Sequence, residues 1–242
     1  MRTARDARRA DSSSGTPLSS LITANMGVWR RGLAVRIKIC GITRPGDAEQ
    51  ALALGADTVG CVFHAESARH VTAEIAQDIQ IAVGHAGTLV GLFVDPTVDQ
   101  VRAVLDRIDL DVLQFHGQKS GILRAVSASL SKAVAMSADV DLSAVNKAYE
   151  SARGLLLDSA HEGQFGGTGQ RFDWDWIDTG LENRLMLAGG LSADNVGGAI
   201  RQVRPAAVDV SSGVERDKGI KDSDRMRAFI EAALPEMSEG GL

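Results

Sequence analysis

The chain has 242 residues, 44% hydrophobic and 4% aromatic, with a formal charge of −5. That gives room for one large α/β barrel or two small domains, offers no run of about 18 apolar residues to span a membrane, and leaves too few aromatics for a single-stranded nucleic-acid platform. Residues 1–34 hold six Arg against two Asp, so the rest carries −9; a body that acidic excludes long-range attraction to nucleic acid or anionic membrane and restricts anion binding to a few placed donors.

The Arg- and Ser-rich stretch 1–34 has neither a helical apolar face nor a secretory h-region and reads as a flexible amino-terminal extension, outside the fold proper. From Val35 onward, β-branched runs alternate with helical patterns. Val35–Cys40 reads as a strand, then Pro45–Leu54 as a helix with Pro and Asp in its first turn. Asp57–Phe63 is the second strand, followed by a helix from Thr72, its cap, to Val83. Thr88–Val94 is the third strand, and Thr97–Ile108 a helix with Val98, Val101, Val104, Leu105 and Ile108 on one face.

Asp111–His116 is the fourth strand, and Leu123, Val126 and Leu130 mark the face of the next helix. Lys132–Met136 and Gly154–Asp158 follow as strands, separated by a weaker helix near Leu142–Ser151. A Gly-rich loop leads to a short helix at Phe172–Ile177. Arg184–Ala188 is the seventh strand, Ser192 opens a helix carrying Val196, Ile200 and Val203, and Ala206–Ser211 is the eighth strand. Met226, Phe229, Ile230 and Ala233 line the last helix. Eight βα units in order predict a parallel sheet closed into a single (β/α)8 TIM barrel over residues 35–242, with no room for an inserted domain. The open doubly wound alternative advertises GxGxxG after its first strand, where this chain reads CGIT.

In such barrels the active site lies at the carboxyl ends of the strands. Cys40, His116, Asp158, Gly189–Gly190 and Ser211–Gly213 all sit there. Alternation then puts Arg36, Lys38 and Cys40 inward on the first strand, Leu156 and Asp158 on the sixth, Asp209 and Ser211 on the eighth. The first and eighth strands are neighbours in a closed barrel, so Lys38 and Asp209 are expected to pair, a buried charge needing a partner. Cys61, inside the second strand, reads as core. Two cysteines make no disulfide framework and suit a reducing, cytoplasmic compartment. Neither has a metal spacing with histidine, so neither a metal nor a cofactor is expected.

The segments LAGGLSADN and VDVSSGV follow the seventh and eighth strands, where many barrels bind phosphate through backbone N–H groups. Gly189, Gly190, Ser211, Ser212 and Gly213 are therefore the expected phosphate donors. Each motif alone would do no more than end a strand or cap a helix; after these two strands together they indicate phosphate. Gly166, Gly167 and Gly169 lie in a loop that could close over a substrate.

The strings VRIKICGITRPGDA, DVLQFHG, GGTGQRFDW, LAGGLSADNV and VDVSSGVE resemble phosphoribosylanthranilate isomerase of the tryptophan pathway, from Val35 to about Ala233. The resemblance implies an Amadori rearrangement of an aminoaldose to an aminoketose, with Asp158 as general acid and Cys40 as general base. It also implies that Arg69 holds the anthranilate carboxylate, with a guanidinium suited to bidentate grip. His116, ending the fourth strand, reads either as a substrate contact or as a structural histidine, and Asp209 reads as a substrate contact. A carboxyl at a barrel mouth keeps its proton where desolvation raises its pKa, and positive charge, here from Lys38, favours a thiolate. The family loop F-Y-P-K-S-x-R reads Phe63-His64-Ala65-Glu66-Ser67-Ala68-Arg69 here, keeping Ser67 and Arg69 but changing the Tyr, Pro and Lys positions. His64, His70, His85 and His161 fall in no constellation and read as loop or surface residues.

The histidine-pathway isomerase, built around paired aspartates and a repeated phosphate motif, fits less well, since Cys40 ends the first strand and no second phosphate loop appears. Pentose-phosphate epimerases carry metal-binding His and Asp at strand ends that are missing here. An inactive barrel serving as an interaction module would have lost Cys40 or Asp158. The expected partner is thus a small phosphorylated substrate, without nucleic acid or membrane, acting on a monomer or homodimer.

Overall fold

The computed structural model describes residues 35–117, 130–159, 171–177, 180, 181 and 184–239. The amino-terminal stretch 1–34, the helix face at Leu123 and Val126, His161 and the glycines at 166, 167 and 169 lie outside the described residues.

Eight parallel strands close in chain order: β1 (Arg36–Cys40), β2 (Thr58–Val62), β3 (Thr88–Val94), β4 (Val112–His116), β5 (Leu130–Met136), β6 (Gly154–Ser159), β7 (Leu185–Leu187) and β8 (Ala207–Val210). The helices are α1 (Pro45–Ala53), α2 (Ala73–Val83), α3 (Val98–Leu105), α4 (Leu142–Ala148), α5 (Val196–Val203) and α6 (Ser223–Glu239). None of them is long and apolar enough to cross a membrane.

The helices start where the chain supplies acceptors for orphan N–H groups. Thr72 Oγ1 accepts from Ile75 N, and Thr97 with Gln100 forms a reciprocal capping box. Pro45 opens α1 in the first turn, where its missing N–H costs nothing. The expected helix from Ser192 begins later: Val196 N reaches back to Ser192 O, but α5 proper starts after Asn195.

Alternation sorts the strands into two faces. Ile37, Ile39, Val59, Cys61, Leu89, Leu113, Leu155, Leu157 and Val208 join the large core between barrel and helices. The opposite face fills the barrel, with Ala133, Leu156, Met186, Ala188 and Ala207 in one packed layer and Cys40, Val62 and Leu92 in another. Cys61 is fully buried in the outer core, and burial pushes its thiol up to about 12.

Two departures from the sequence reading stand out. Leu130 is not on a helix; it opens β5, opposite Leu113, and its carbonyl accepts from Arg153 N. An apolar residue at a helix–strand junction satisfies both periodicities, and pairing with β4 decides the outcome. The second is an antiparallel hairpin after the eighth strand, β9 (Glu215–Asp217) and β10 (Ile220–Lys221), turning at Gly219 with φ +80°. Its five strand residues are too few and too polar to register as a periodic run.

Candidate active site

At the carboxyl ends of the strands lies a cavity open to solvent. Cys40, Arg69, His116, Asp158, Asp209 and Ser211 all line it. Six residues named from the sequence thus converge from β1, β4, β6, β8 and the loop after β2. Gly189, Gly190, Ser212 and Gly213 lie in the adjoining loops after β7 and β8.

The charge at the centre of the barrel is arranged as strand register dictates. Lys38 faces Asp209 across the β1–β8 seam, and its Nζ donates to Asp209 Oδ1 at 2.9 Å. The side chains are 1% and 9% exposed, so the pair is dry. Burial opposes the Lys38 charge, but Asp209 and Cys40 beside it outweigh that and hold its pKa above the ordinary value. Asp209, expected to touch substrate, therefore also has a protein partner.

Cys40 is two residues beyond on the same strand, on the same inward face, and opposite Gly60 of β2. Glycine at 60 leaves the space that thiol and ammonium share: a Cβ there would stand 3.1 Å from Cys40 Sγ and 3.3 Å from Lys38 Nζ. Burial pushes the thiol up, against the pull of Lys38, and the net pKa lies above the ordinary value. In the free protein at neutral pH, Cys40 keeps its proton.

Asp158 is next to last in β6 and faces inward, and its Oδ1 accepts from Ser159 N at 2.8 Å. Gly189 packs directly over it, at φ +77°, where a Cβ would stand 2.6 Å from Ser159 N. Gly190 follows at φ +65°, so the chain after β7 makes two successive left-handed steps that favour glycine. Asn195 staples this turn, donating Nδ2 to Gly190 O and accepting Ser192 N on Oδ1. The loop after β8 abuts it, since a Cβ on Gly213 would collide with Leu191 O. Ser211 Oγ is buried without a partner among the described residues.

His116 ends β4, and its Nε2 lies 2.8 Å from Gln114 Nε2. Burial, with Lys132, Lys38 and His64 nearby, depresses its pKa to about 3, so the ring is neutral. Gln114 is 1% exposed and its Oε1 has no partner among the described residues. The sequence reading missed Gln114, although alternation places it on the inward face with His116. His64 also lines the cavity, 3.8 Å from Glu66, rather than being a plain loop residue.

Arg69 has a partner that the sequence did not announce. Its Nε and Nη2 donate to Glu215 Oε1 and Oε2, both at 2.7 Å. Lys221 Nζ donates to the same carboxylate at 2.9 Å and to Ser211 O at 3.1 Å. Glu215 is desolvated, but the two cations outweigh that and keep its pKa below the usual carboxylate value. Among the described residues, no group of three His, Cys, Asp or Glu could hold a metal ion.

Comparison with known proteins places relatives over most of the chain. The family described as N-(5'phosphoribosyl)anthranilate (PRA) isomerase matches residues 37–232. An N-(5'-phosphoribosyl)anthranilate isomerase from Nitrosococcus oceani is 46% identical over 199 residues, covering 82% of this chain and 97% of the relative. One from Pseudomonas aeruginosa is 48% identical over 200 residues, covering 82% and 95%. The crystal structure of phosphoribosyl anthranilate isomerase from Thermotoga maritima superposes with a TM-score of 0.73 at 37% identity, over 83% of this chain and 99% of that one. A phosphoribosyl anthranilate isomerase in complex with reduced 1-(o-carboxyphenylamino)-1-deoxyribulose 5-phosphate gives a TM-score of 0.68 at 34% identity, over 83% and 99%. With the fold, the cavity and these likenesses in agreement, the chain belongs to the phosphoribosylanthranilate isomerase family.

Proposed function

We propose that this barrel carries out its family's Amadori rearrangement with Cys40 and Asp158 as the proton-transfer pair. The substrate is N-(5-phosphoribosyl)anthranilate and the product is 1-(2-carboxyphenylamino)-1-deoxyribulose 5-phosphate, in tryptophan biosynthesis. The observation that carries the assignment is that Cys40 and Asp158 lie at the carboxyl ends of different strands yet face one cavity.

Asp158 gives a proton to the ribose ring oxygen, which opens the ring to a protonated imine. Cys40 then takes the proton from C2′, and the resulting enolamine tautomerises to the aminoketose. The thiol starts protonated, so the base must form in the complex. The positive imine nitrogen and the buried Lys38 both favour the thiolate at that moment. His116, held neutral, contacts substrate as a hydrogen-bonding group rather than as a cation.

Gly189, Gly190, Ser211, Ser212 and Gly213 hold the phosphate, the glycines letting the backbone approach its oxygens. Arg69 takes the anthranilate carboxylate, and Asp209, through Lys38, sets the charge beside the thiol while bordering the sugar. The working unit is a monomer or homodimer in the cytoplasm that needs no nucleic acid, a reading supported by the −9 balance outside residues 1–34 and by two unpaired, buried cysteines.

Anthranilate-derivative fluorescence tests the assignment directly. Purified protein mixed with phosphoribosylanthranilate should give a decaying signal. Cys40→Ser and Asp158→Asn should each lower turnover by at least about 10². Near-normal kcat in either variant overturns the role of that residue, and a flat trace with folded wild-type protein overturns the substrate.

A further inference from the structure

The β9–β10 hairpin holds two buried charged residues, Glu215 and Lys221, against the cavity-lining Arg69, and the proton-transfer chemistry does not use them. We propose that Glu215 and Lys221 are positioning residues that aim Arg69 at the substrate carboxylate. The proposal rests on the reading of Arg69 as the carboxylate-binding group.

The guanidinium is held on two sides. Its stem lies across Gly41, where a Cβ would stand 2.5 Å from Arg69 Cδ. Glu215 takes Nε and Nη2 with both carboxylate oxygens, which fixes the plane of the fork. That leaves Nη1, which has no protein partner among the described residues, on a side chain 13% exposed at the cavity. A flexible arginine would lose rotamer freedom on gripping a ligand; this one has already lost it.

Lys221 keeps the device attractive to an anion. Arg69 and Glu215 alone would cancel. Lys221 Nζ on Glu215 Oε1 brings a second basic group to that carboxylate; burial lowers its pKa and Glu215 opposes that shift, and with Lys221 protonated the trio has one net positive charge. Lys221 also donates to Ser211 O, which joins the Arg69 anchor to the loop assigned to phosphate. One buried lysine thus ties together the two ends of the anion-binding surface.

The hairpin itself is pinned to the loop after β1. Thr43 Oγ1 donates to Gly219 O, and Lys221 N donates to Asp47 Oδ2 at 3.2 Å. Arg44 holds that same Asp47 carboxylate with bonds of 2.9 and 2.6 Å. Arg225 of α6 donates to Glu215 O. A carboxylate serving only to neutralise a surface arginine would not need this scaffold.

The test compares phosphoribosylanthranilate with the same compound built on aniline, which lacks the carboxylate. Wild-type protein should favour the carboxylated substrate in kcat/KM. Glu215→Gln should reduce that preference at least about tenfold, mostly through KM, as expected for lost charge-assisted bonds. Adding Glu215→Gln to Arg69→Ala should cost nothing further on the carboxylated substrate. Glu215→Asp, which keeps the charge with a shorter reach, should fall between wild type and Glu215→Gln and serves where the glutamine variant folds poorly. Equal losses on both substrates, or an unchanged preference in the Glu215 variants while Arg69→Ala abolishes it, overturn the positioning role alone. An unchanged preference in Arg69→Ala overturns the carboxylate reading on which it rests.

Discussion

Lys38 and Asp209 close the barrel electrostatically where β1 meets β8, with Nζ 2.9 Å from Oδ1 in a site almost without solvent. The pair matters less for the attraction it gains than for what removing one member leaves behind. Asp209→Asn should strand a fully buried ammonium and cost about 3–5 kcal/mol in denaturant unfolding. Lys38→Met combined with Asp209→Leu should recover much of the loss. Lys38 titrates above its ordinary 10.5, so the pair's contribution is complete below that pH and fades only as pH rises past it. A double variant as unstable as the single one would show that the pair contributes more than mutual compensation.

The same lysine sets the pH dependence of the base. Burial is the larger effect on Cys40 and raises its pKa; Lys38 opposes it more strongly than Asp209 supports it. The thiolate fraction of the free enzyme therefore grows with pH, and kcat/KM should rise along a limb placed above the ordinary thiol value. Replacing both charges, as Lys38→Met with Asp209→Asn, should move that limb further alkaline. Each unit of displacement should cost about tenfold at neutral pH. A pH–rate profile measures it; a limb that stays in place, or moves acid, would remove Lys38 from the mechanism.

Gly60 is the steric counterpart of this charge arrangement. Its carbonyl accepts from Gly41 N and Ile42 N, both at 2.9 Å, so the backbone here cannot drift away from β1. A methyl at 60 would press on Cys40 Sγ at 3.1 Å and on the end of Lys38. Gly60→Ala should destabilise by about 1–3 kcal/mol, the usual range for overpacking. It should also lower kcat by at least about tenfold, since a displaced base loses its geometry. Unfolding curves and turnover together check this, and an unaffected kcat would mean that the thiol tolerates the shift.

The barrel and the Lys38–Asp209 contact were legible because both follow from period-two alternation and from the adjacency of first and last strands. Cys40, Asp158 and the glycine loops were legible as places, and the family resemblance supplied their roles. Gln114 was open to the same alternation but lacked a chemical flag. Leu130 was misread because one apolar residue cannot separate two periods at a junction. The Arg69–Glu215 contact spans 146 positions through a hairpin with no periodic signature, and periodicity assigns faces rather than partners across loops. The neutral state of His116 likewise depends on burial and three neighbouring groups that only the assembled barrel brings together.

The two glycine loops can be tested apart from the proton-transfer pair. Gly213 has no room for a side chain because Leu191 O occupies the place of its Cβ, and that oxygen belongs to the facing loop. Gly189 has a second constraint, its left-handed φ, in addition to Ser159 N at 2.6 Å from a Cβ. Gly213→Ala should therefore push the loops after β7 and β8 apart and weaken whatever they jointly hold. Inorganic phosphate offered as a competitive inhibitor should bind at least about tenfold more weakly, and KM for the phosphorylated substrate should rise with it, as expected when charge-assisted bonds lengthen. Turnover at saturation should fall less than KM rises, because Cys40 and Asp158 stand on other strands. Gly189→Ala should add a loss in kcat, since the residue packs over Asp158 with a Cβ position 3.2 Å from Oδ1. Phosphate inhibition unchanged in Gly213→Ala would place the phosphate elsewhere on the barrel rim.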